Sequence, residues 1–214
     1  MAAGGASSSA VQDKAFYVTV TGQIEAAQFD GAKSLYCRFE FVHGGNWETE
    51  RGDGEKTVMR DCCTQIAEIG GNQGVPLFVW NYPLEVTFRG TNPHGWPQLC
   101  VSVYTADSKG REEVKGYGCI HVPCGPGRYD RYIRLFAPVA SSALQGLIAT
   151  FTGKKPHFVD PTFPSKGEGR EVTRVSSQGV VKVLFNITTR GFGDHYSEES
   201  AEFEEHVLSD ISDL

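Results

Sequence analysis

Phe16-Tyr17-Val18-Thr19-Val20-Thr21-Gly22-Gln23-Ile24 alternates with a period of two. Phe16, Val18, Val20, Gly22 and Ile24 fall on one side and Tyr17, Thr19, Thr21 and Gln23 on the other, the signature of a half-buried strand. Leu35, Cys37, Phe39 and Phe41 repeat the pattern opposite Tyr36, Arg38 and Glu40. Strand character returns at 77–89, where Pro83 has no N–H for a ladder and so predicts an edge or a bulge. Further strands read at 99–105, 114–122, 131–136, 171–176 and 180–189, divided by turn signals such as Thr91-Asn92-Pro93, Ser108-Lys109-Gly110 and Gln178-Gly179. Eight strands without βαβ alternation predict an antiparallel β-sandwich.

Two segments depart from the alternation. The glycine-rich, charged stretch 43–74 is expected to hold a short helix near 58–69. Val139, Ala143, Leu144, Leu147, Ile148 and Phe151 recur at helical spacing, with Ser141 or Ser142 at the start and Gly153 past the end. This predicts one amphipathic helix inserted before the last two strands, one face packed on the sandwich. Its polar face lacks the Lys and Arg of a membrane-lying helix.

The chain has 214 residues, 40% of them apolar, enough for one large core. No run approaches the roughly 18 apolar residues of a membrane-spanning helix. Residues 1–10 lack the basic and apolar regions of a secretory signal, and lipid-anchor motifs are absent. These readings predict a soluble, intracellular chain with a flexible leader (1–14), one β-domain (15–192) and an acidic tail (193–214). The net charge of −6 is uneven: residues 197–214 hold seven acids and no Lys or Arg, leaving 20 basic against 19 acidic residues elsewhere. A nearly neutral body gives no case for nucleic acid.

Catalytic signatures are missing: no Gly-x-Ser-x-Gly, Walker loop, His-Glu-x-x-His or Cys-x-x-Cys occurs. The expectation is no enzyme and no cofactor. Gly125-Pro126-Gly127 reads as a turn, since Pro126 removes an amide and no helix follows. Asn186-Ile187-Thr188 matches a glycosylation sequon but lies inside an expected strand. Cys37, Cys62, Cys63, Cys100, Cys119 and Cys124 read as reduced thiols; Cys119, His121 and Cys124 beside Cys62 and Cys63 have no common zinc spacing.

The loop 105–116 resembles the third loop of a C2 domain, where converging carboxylates hold calcium. Asp107 and Glu113 match acidic positions, but Thr105 replaces the first acid. The corresponding first loop, 27–34, offers only Asp30, and Ser34 stands where C2 domains carry Asp. Calcium needs six to eight oxygen ligands, so these degenerate positions predict no metal site. Lys154-Lys155 and Arg128, Arg131 and Arg134 fall short of a polybasic lipid-binding cluster.

A narrower resemblance runs from about Phe16 to Thr189. Gly22-Gln23-Ile24-Glu25-Ala26-Ala27-Gln28-Phe29, Leu35-Tyr36-Cys37, Val79-Trp80-Asn81-Tyr82-Pro83 and Val86-Thr87-Phe88 resemble the B9-domain family. So do Thr91-Asn92-Pro93-His94-Gly95-Trp96-Pro97-Gln98, Gly116-Tyr117-Gly118, His121-Val122-Pro123 and Gly167-Glu168-Gly169-Arg170-Glu171-Val172-Thr173-Arg174. The resemblance implies a C2-like sandwich without catalysis. It also implies assembly with other B9-domain proteins at the ciliary transition zone, beside tectonic-type membrane proteins, in a complex that gates ciliary membrane proteins and supports ciliogenesis. A membrane-binding C2 module reading acidic phospholipids, with or without calcium, is the alternative.

Rigid, aromatic-bearing loops are the expected contact surface, through Trp80, Tyr82, Trp96 and Arg170, unless they only fix the loops of one sandwich. In the tail, Phe203, Val207, Ile211 and Leu214 fall on one helical stripe with acids on the other faces. This predicts a segment that is disordered alone, or folds as a helix on a basic, apolar groove of a partner.

Overall fold

The alternating segments become strands because each has one apolar phase to bury. The computed structural model describes residues 15–50, 62–70, 76–106, 112–139, 160–162, 165 and 174–192. Ten strands run through them: β1 (Phe16–Phe29), β2 (Ser34–Val42), β3 (Trp47–Glu50), β4 (Cys62–Cys63), β5 (Ala67–Glu68), β6 (Leu77–Gly90), β7 (Gln98–Ala106), β8 (Glu112–His121), β9 (Gly127–Pro138) and β10 (Val175–Arg190). They form one curled antiparallel sheet in the order β3-β6-β1-β10-β9-β8-β7-β2-β4, with β5 also on β2. β2 and β6 are far apart in that order, yet Phe39 meets Tyr82 at 5.4 Å and Phe41 meets Phe88 at 5.5 Å. The sheet therefore folds back on itself as an all-β, C2-like sandwich. The core lies between its halves, built from Val18, Val20, Ile24, Leu35, Phe78, Phe88, Val101, Leu135 and Phe185 among others. Each such side chain contributes about 1.5–3 kcal/mol, against about 0–1 kcal/mol for an exposed ion pair such as Arg38–Glu112.

The fold-back happens at β8 and β9, which pair only at Tyr117↔Phe136. Two glycines permit it. A Cβ on Gly118 would lie 2.6 Å from Ile133 Cγ2 and 2.7 Å from the Arg134 carbonyl, and one on Gly116 would lie 3.0 Å from Leu135 Cβ.

β1 is paired along both flanks, and its alternation shifts where Glu25 is left out of both ladders. Before it Phe16, Val18, Val20 and Ile24 face the core; after it Ala27 and Phe29 do. On β6 the same bulge takes in Trp80 and Asn81, with Asn81 at φ 46°. Pro83 follows two residues later, and among the described residues no strand pairs with its outer flank, β3 covering Thr87 to Gly90. The expected bulge therefore lies just before Pro83, and among the described residues the stretch is an edge.

Several expectations are corrected. Residues 62–70 are extended rather than helical: Thr64 N donates to the Cys37 carbonyl, Cys37 N donates to Thr64 Oγ1, and Gly70 N donates to the Leu77 carbonyl. This strap lies along the open seam between β2 and β6, where backbone groups of both strands are available. Residues 175–176 of the strand expected at 171–176 and all of the one expected at 180–189 lie in one strand, β10, within which Gln178 is a bulge rather than a turn; 171–173 lie outside the described residues. Ten strands replace the expected eight because β3, β4 and β5 are too short to show a period. The expected helix at 139–151 lies outside the described residues except for Val139.

Candidate functional site

At one end of the sandwich, the β1–β2 turn, the start of β8 and the β9 and β10 termini surround an open groove of about 340 Å³, lined by Phe29, Asp30, Val114, Lys115, Pro138 and Val139. This is where a C2 domain would gather its carboxylates. Asp30 is exposed on the turn. Glu113 lies in β8, and its Oε2 accepts from Lys115 Nζ at 3.0 Å, so a fixed ammonium stands beside it. Asp107 lies outside the described residues. At the two positions that lack the C2 acids, Thr105 Oγ1 donates to the Ser34 carbonyl at 2.8 Å, tying β7 to β2. A hard cation needs converging oxygens; here one carboxylate is spent on a lysine and one hydroxyl on the backbone.

The tryptophans face inward, which corrects their expected place on a contact surface. Trp80 is 3% exposed, and its Nε1 donates to the Leu35 carbonyl at 3.2 Å. Its own carbonyl accepts from Gln65 Nε2 at 2.7 Å, so it fastens strap, β6 and β2 together. Trp96 is 5% exposed, donates through Nε1 to the Val122 carbonyl at 2.7 Å, and packs edge-on against Trp47 at 4.9 Å. Trp47 Nε1 donates to the His94 carbonyl at 3.0 Å, and Gly44 N donates to the Gly95 carbonyl at 2.8 Å. A Cβ on Gly95 (φ 74°) would lie 2.6 Å from Gly44 Cα. Side chains that fill a core cannot present their rings to a partner; these two hold the loops that carry them. Tyr82 is half-buried against Phe39. Trp80 and Trp96 sit at opposite ends of the sandwich, about 30 Å apart along β1 at the usual rise per residue. Arg170, Phe203, Val207 and Ile211 lie outside the described residues.

All six cysteines are free. Burial pushes the Cys37 thiol above its ordinary range and, with Cys119 alongside, pushes Cys100 up to about 12. Cys119 pairs in register with Cys100 on β7, whereas Cys62 and Cys63 lie on β4 beyond β2. Three strand spacings, about 14 Å, separate those two sets.

Three further surface features lie outside the residues expected at a site. On the outer side of β2 and β7, Tyr36 and Tyr104 stack at 5.4 Å, Arg38 lies 4.8 Å from the Tyr104 ring centre, and Arg38 Nη2 donates to both Glu112 oxygens at 2.9 and 2.8 Å. Burial, then the neighbouring Glu112, holds the Tyr36 phenol above its ordinary range. Beside this cluster Pro161 lines a small cleft with Cys100, Ser102 and Tyr104, and Cys100 and Ser102 are buried. At the seam, Ile66, Ile69, Leu77 and Val79 are exposed. On β9, Tyr132 is 61% exposed in a row with Arg128, Asp130 and Arg134.

A family model described as "Ciliary basal body-associated, B9 protein" matches residues 18–188. The chain is 44% identical over 181 residues to B9 domain-containing protein 1 of Mus musculus, covering 85% of each chain. It is 46% identical over 175 residues to B9 domain-containing protein 1 of Xenopus laevis, covering 82% of this chain and 85% of that one. It is 30% identical over 181 residues to B9 domain-containing protein 2 of Danio rerio, covering 85% of this chain and 97% of that one. Among solved structures, the C2A domain of a plant extended synaptotagmin 1 superposes with a TM-score of 0.39 at 11% identity, over 80% of this chain and 93% of that one.

Proposed function

Because the chain belongs to the B9 family of ciliary basal body-associated proteins, we propose that it is a non-enzymatic scaffold subunit of a ciliary transition-zone complex. It assembles there with other B9-domain proteins, beside tectonic-type membrane proteins, on the cytoplasmic side. Its role is to support ciliogenesis and the gating of ciliary membrane proteins. The observation that carries the reading is the family match along nearly the whole sandwich, residues 18–188. Likeness to both B9 domain-containing proteins 1 and 2 supports partners built on the same domain. At the loop end, the groups that would serve a metal are committed to other bonds: Glu113 to Lys115 and Thr105 to Ser34. Tyr82, Arg170 and the C-terminal stripe Phe203, Val207 and Ile211 are the side chains we assign to partner contact.

Epitope tagging in a ciliated cell tests this placement. A focus at the ciliary base is expected, and diffuse cytosolic signal alone would sink the proposal. A pull-down with the other B9-domain proteins tests the assembly, and failure to recover any of them would remove the scaffold role.

The second reading, a membrane-binding C2 module, has one observation in its favour. Val139 and Val175 are 48% and 49% exposed at the loop end, beside Lys115. Sedimentation with anionic liposomes, with and without calcium, separates the readings; recovery in the supernatant under both conditions removes this one.

A further inference from the structure

β9 carries a basic, aromatic outer face. β10 pairs with it from Gly127 to Pro138, and β8 lies against its other flank at Ile133 to Phe136, pairing at Tyr117↔Phe136. Arg128, Asp130, Tyr132 and Arg134 alternate outward and are exposed, Tyr132 by 61%. Arg128 and Arg134 have no ion-pair partner among the described residues. Arg131 is on the opposite phase and stacks over Tyr129 at 5.0 Å. Two arginines against Asp130, on either side of an uncovered aromatic ring, suit an occupant that is both acidic and apolar.

Such a segment leaves the domain beside this face. Ile187 pairs with Gly127 at the start of β9, and β10 ends at Arg190. The exit is fixed there by Phe192, packed on Phe16 at 4.6 Å. Residues 197–214 then carry seven acids, no Lys or Arg, and apolar Phe203, Val207, Ile211 and Leu214 at helical spacing. As a helix this stretch is about 27 Å long. The row from Gly127 to Arg134 spans about 23 Å. Tethering raises the segment's local concentration to roughly millimolar, which favours it over a free acidic competitor of equal affinity.

We propose that residues 197–214 dock on their own chain, as an amphipathic helix along the outer face of β9. The stripe containing Phe203 and Val207 lies on Tyr132, with the glutamates toward Arg128 and Arg134. In the free protein the segment covers this face, so an acidic partner must displace it to reach β9 and a basic, apolar one to reach the stripe. The inference does not depend on the ciliary reading.

Hydrogen exchange on the full-length chain tests it, read at 127–135, at 197–214 and, as a control, across β7. In Arg128→Glu/Arg134→Glu, and separately in Phe203→Ser/Val207→Ser, exchange at both 127–135 and 197–214 is expected to rise about tenfold while β7 is unchanged. Raising salt to about 1 M, where the screening length is near 3 Å, is expected to give a smaller rise at the same two places. Should the arginine variant exchange faster throughout, as an unfolded domain would, Glu202→Gln/Glu204→Gln/Glu205→Gln provides the same readout with the sandwich untouched. Lysines at those three glutamates are expected to restore protection in the arginine-to-glutamate background. Free-peptide exchange at 197–214 in the unmodified protein overturns the proposal. So does protection that rises with protein concentration, which would place the segment on a second copy, or a tail variant that leaves 127–135 unchanged.

Discussion

Thr105 Oγ1 donates to the Ser34 carbonyl at 2.8 Å, so the two positions that lack the calcium-binding acids of a C2 domain are joined to each other. The bond links β7 to the start of β2, beside the turn that carries Asp30. The Thr105 hydroxyl is turned to the sheet.

Removing this bond is expected to weaken the domain without any calcium term. Thr105→Val should cost about 1 kcal/mol in urea unfolding, equally in chelator and in millimolar calcium. A calcium-dependent rise in melting temperature of the unmodified protein would show that carboxylates converge at this end after all.

Gly22 sits at φ 148°, and a Cβ there would lie 2.0 Å from the Leu184 carbonyl oxygen. Gly22→Ala should therefore destabilise by at least about 2 kcal/mol, combining backbone strain with a displaced β1–β10 ladder. Equilibrium urea unfolding measures it, and a loss below about 0.5 kcal/mol would mean that β10 can yield here.

Trp96 offers a graded pair. Trp96→Phe keeps a ring against Trp47 but loses the bond to the Val122 carbonyl, expected to cost about 1 kcal/mol. Trp96→Ala should cost about 3–5 kcal/mol. Below the melting point of both, recovery of a second B9-domain protein in a pull-down should be unchanged. Loss of recovery in a still-folded Trp96→Phe would place the indole at the interface.

The cysteines should differ in reactivity. Burial pushes Cys100 up to about 12, while Cys63 is exposed. Alkylation at pH 8 followed by mass spectrometry is expected to label Cys63 first and Cys100 only on unfolding. Because the folded thiol holds its proton more tightly than the unfolded one, its share of stability is full below about pH 9 and falls as pH rises toward 12. Stability that rose across that window would contradict the buried setting.

The long strands were legible because their period is a local property: Phe16, Val18, Val20 and Ile24 had to share a face whatever came later. The strap was not. Ile66 and Ile69 stand three apart, as on a helix, but Cys37, Leu35 and Leu77 decide its conformation by offering backbone partners from distant positions. Trp80 could have been placed correctly. It shares its phase with Phe78, Leu84, Val86 and Phe88, all inward, and the Pro beside it drew attention to the loop instead. Trp96 has no strand phase, so only the tertiary bond to Val122 reveals its direction. Tyr132 did carry a sign: it is the aromatic in a phase otherwise occupied by Arg128, Asp130 and Arg134.

The position of β1 also sets a timetable for synthesis. β6 reaches it early, but its other flank waits for β10, where Tyr17 pairs with Arg190. At about 5–20 residues per second, that flank stays bare on the ribosome for roughly 10–30 s. β9, made some hundred residues later, waits for the same strand only roughly 3–10 s. The nascent chain thus carries two strands short of a partner until β10 emerges. That interval makes the growing polypeptide a client for any factor that shields strand edges, and it makes a chain stopped before β10 unable to close its sheet.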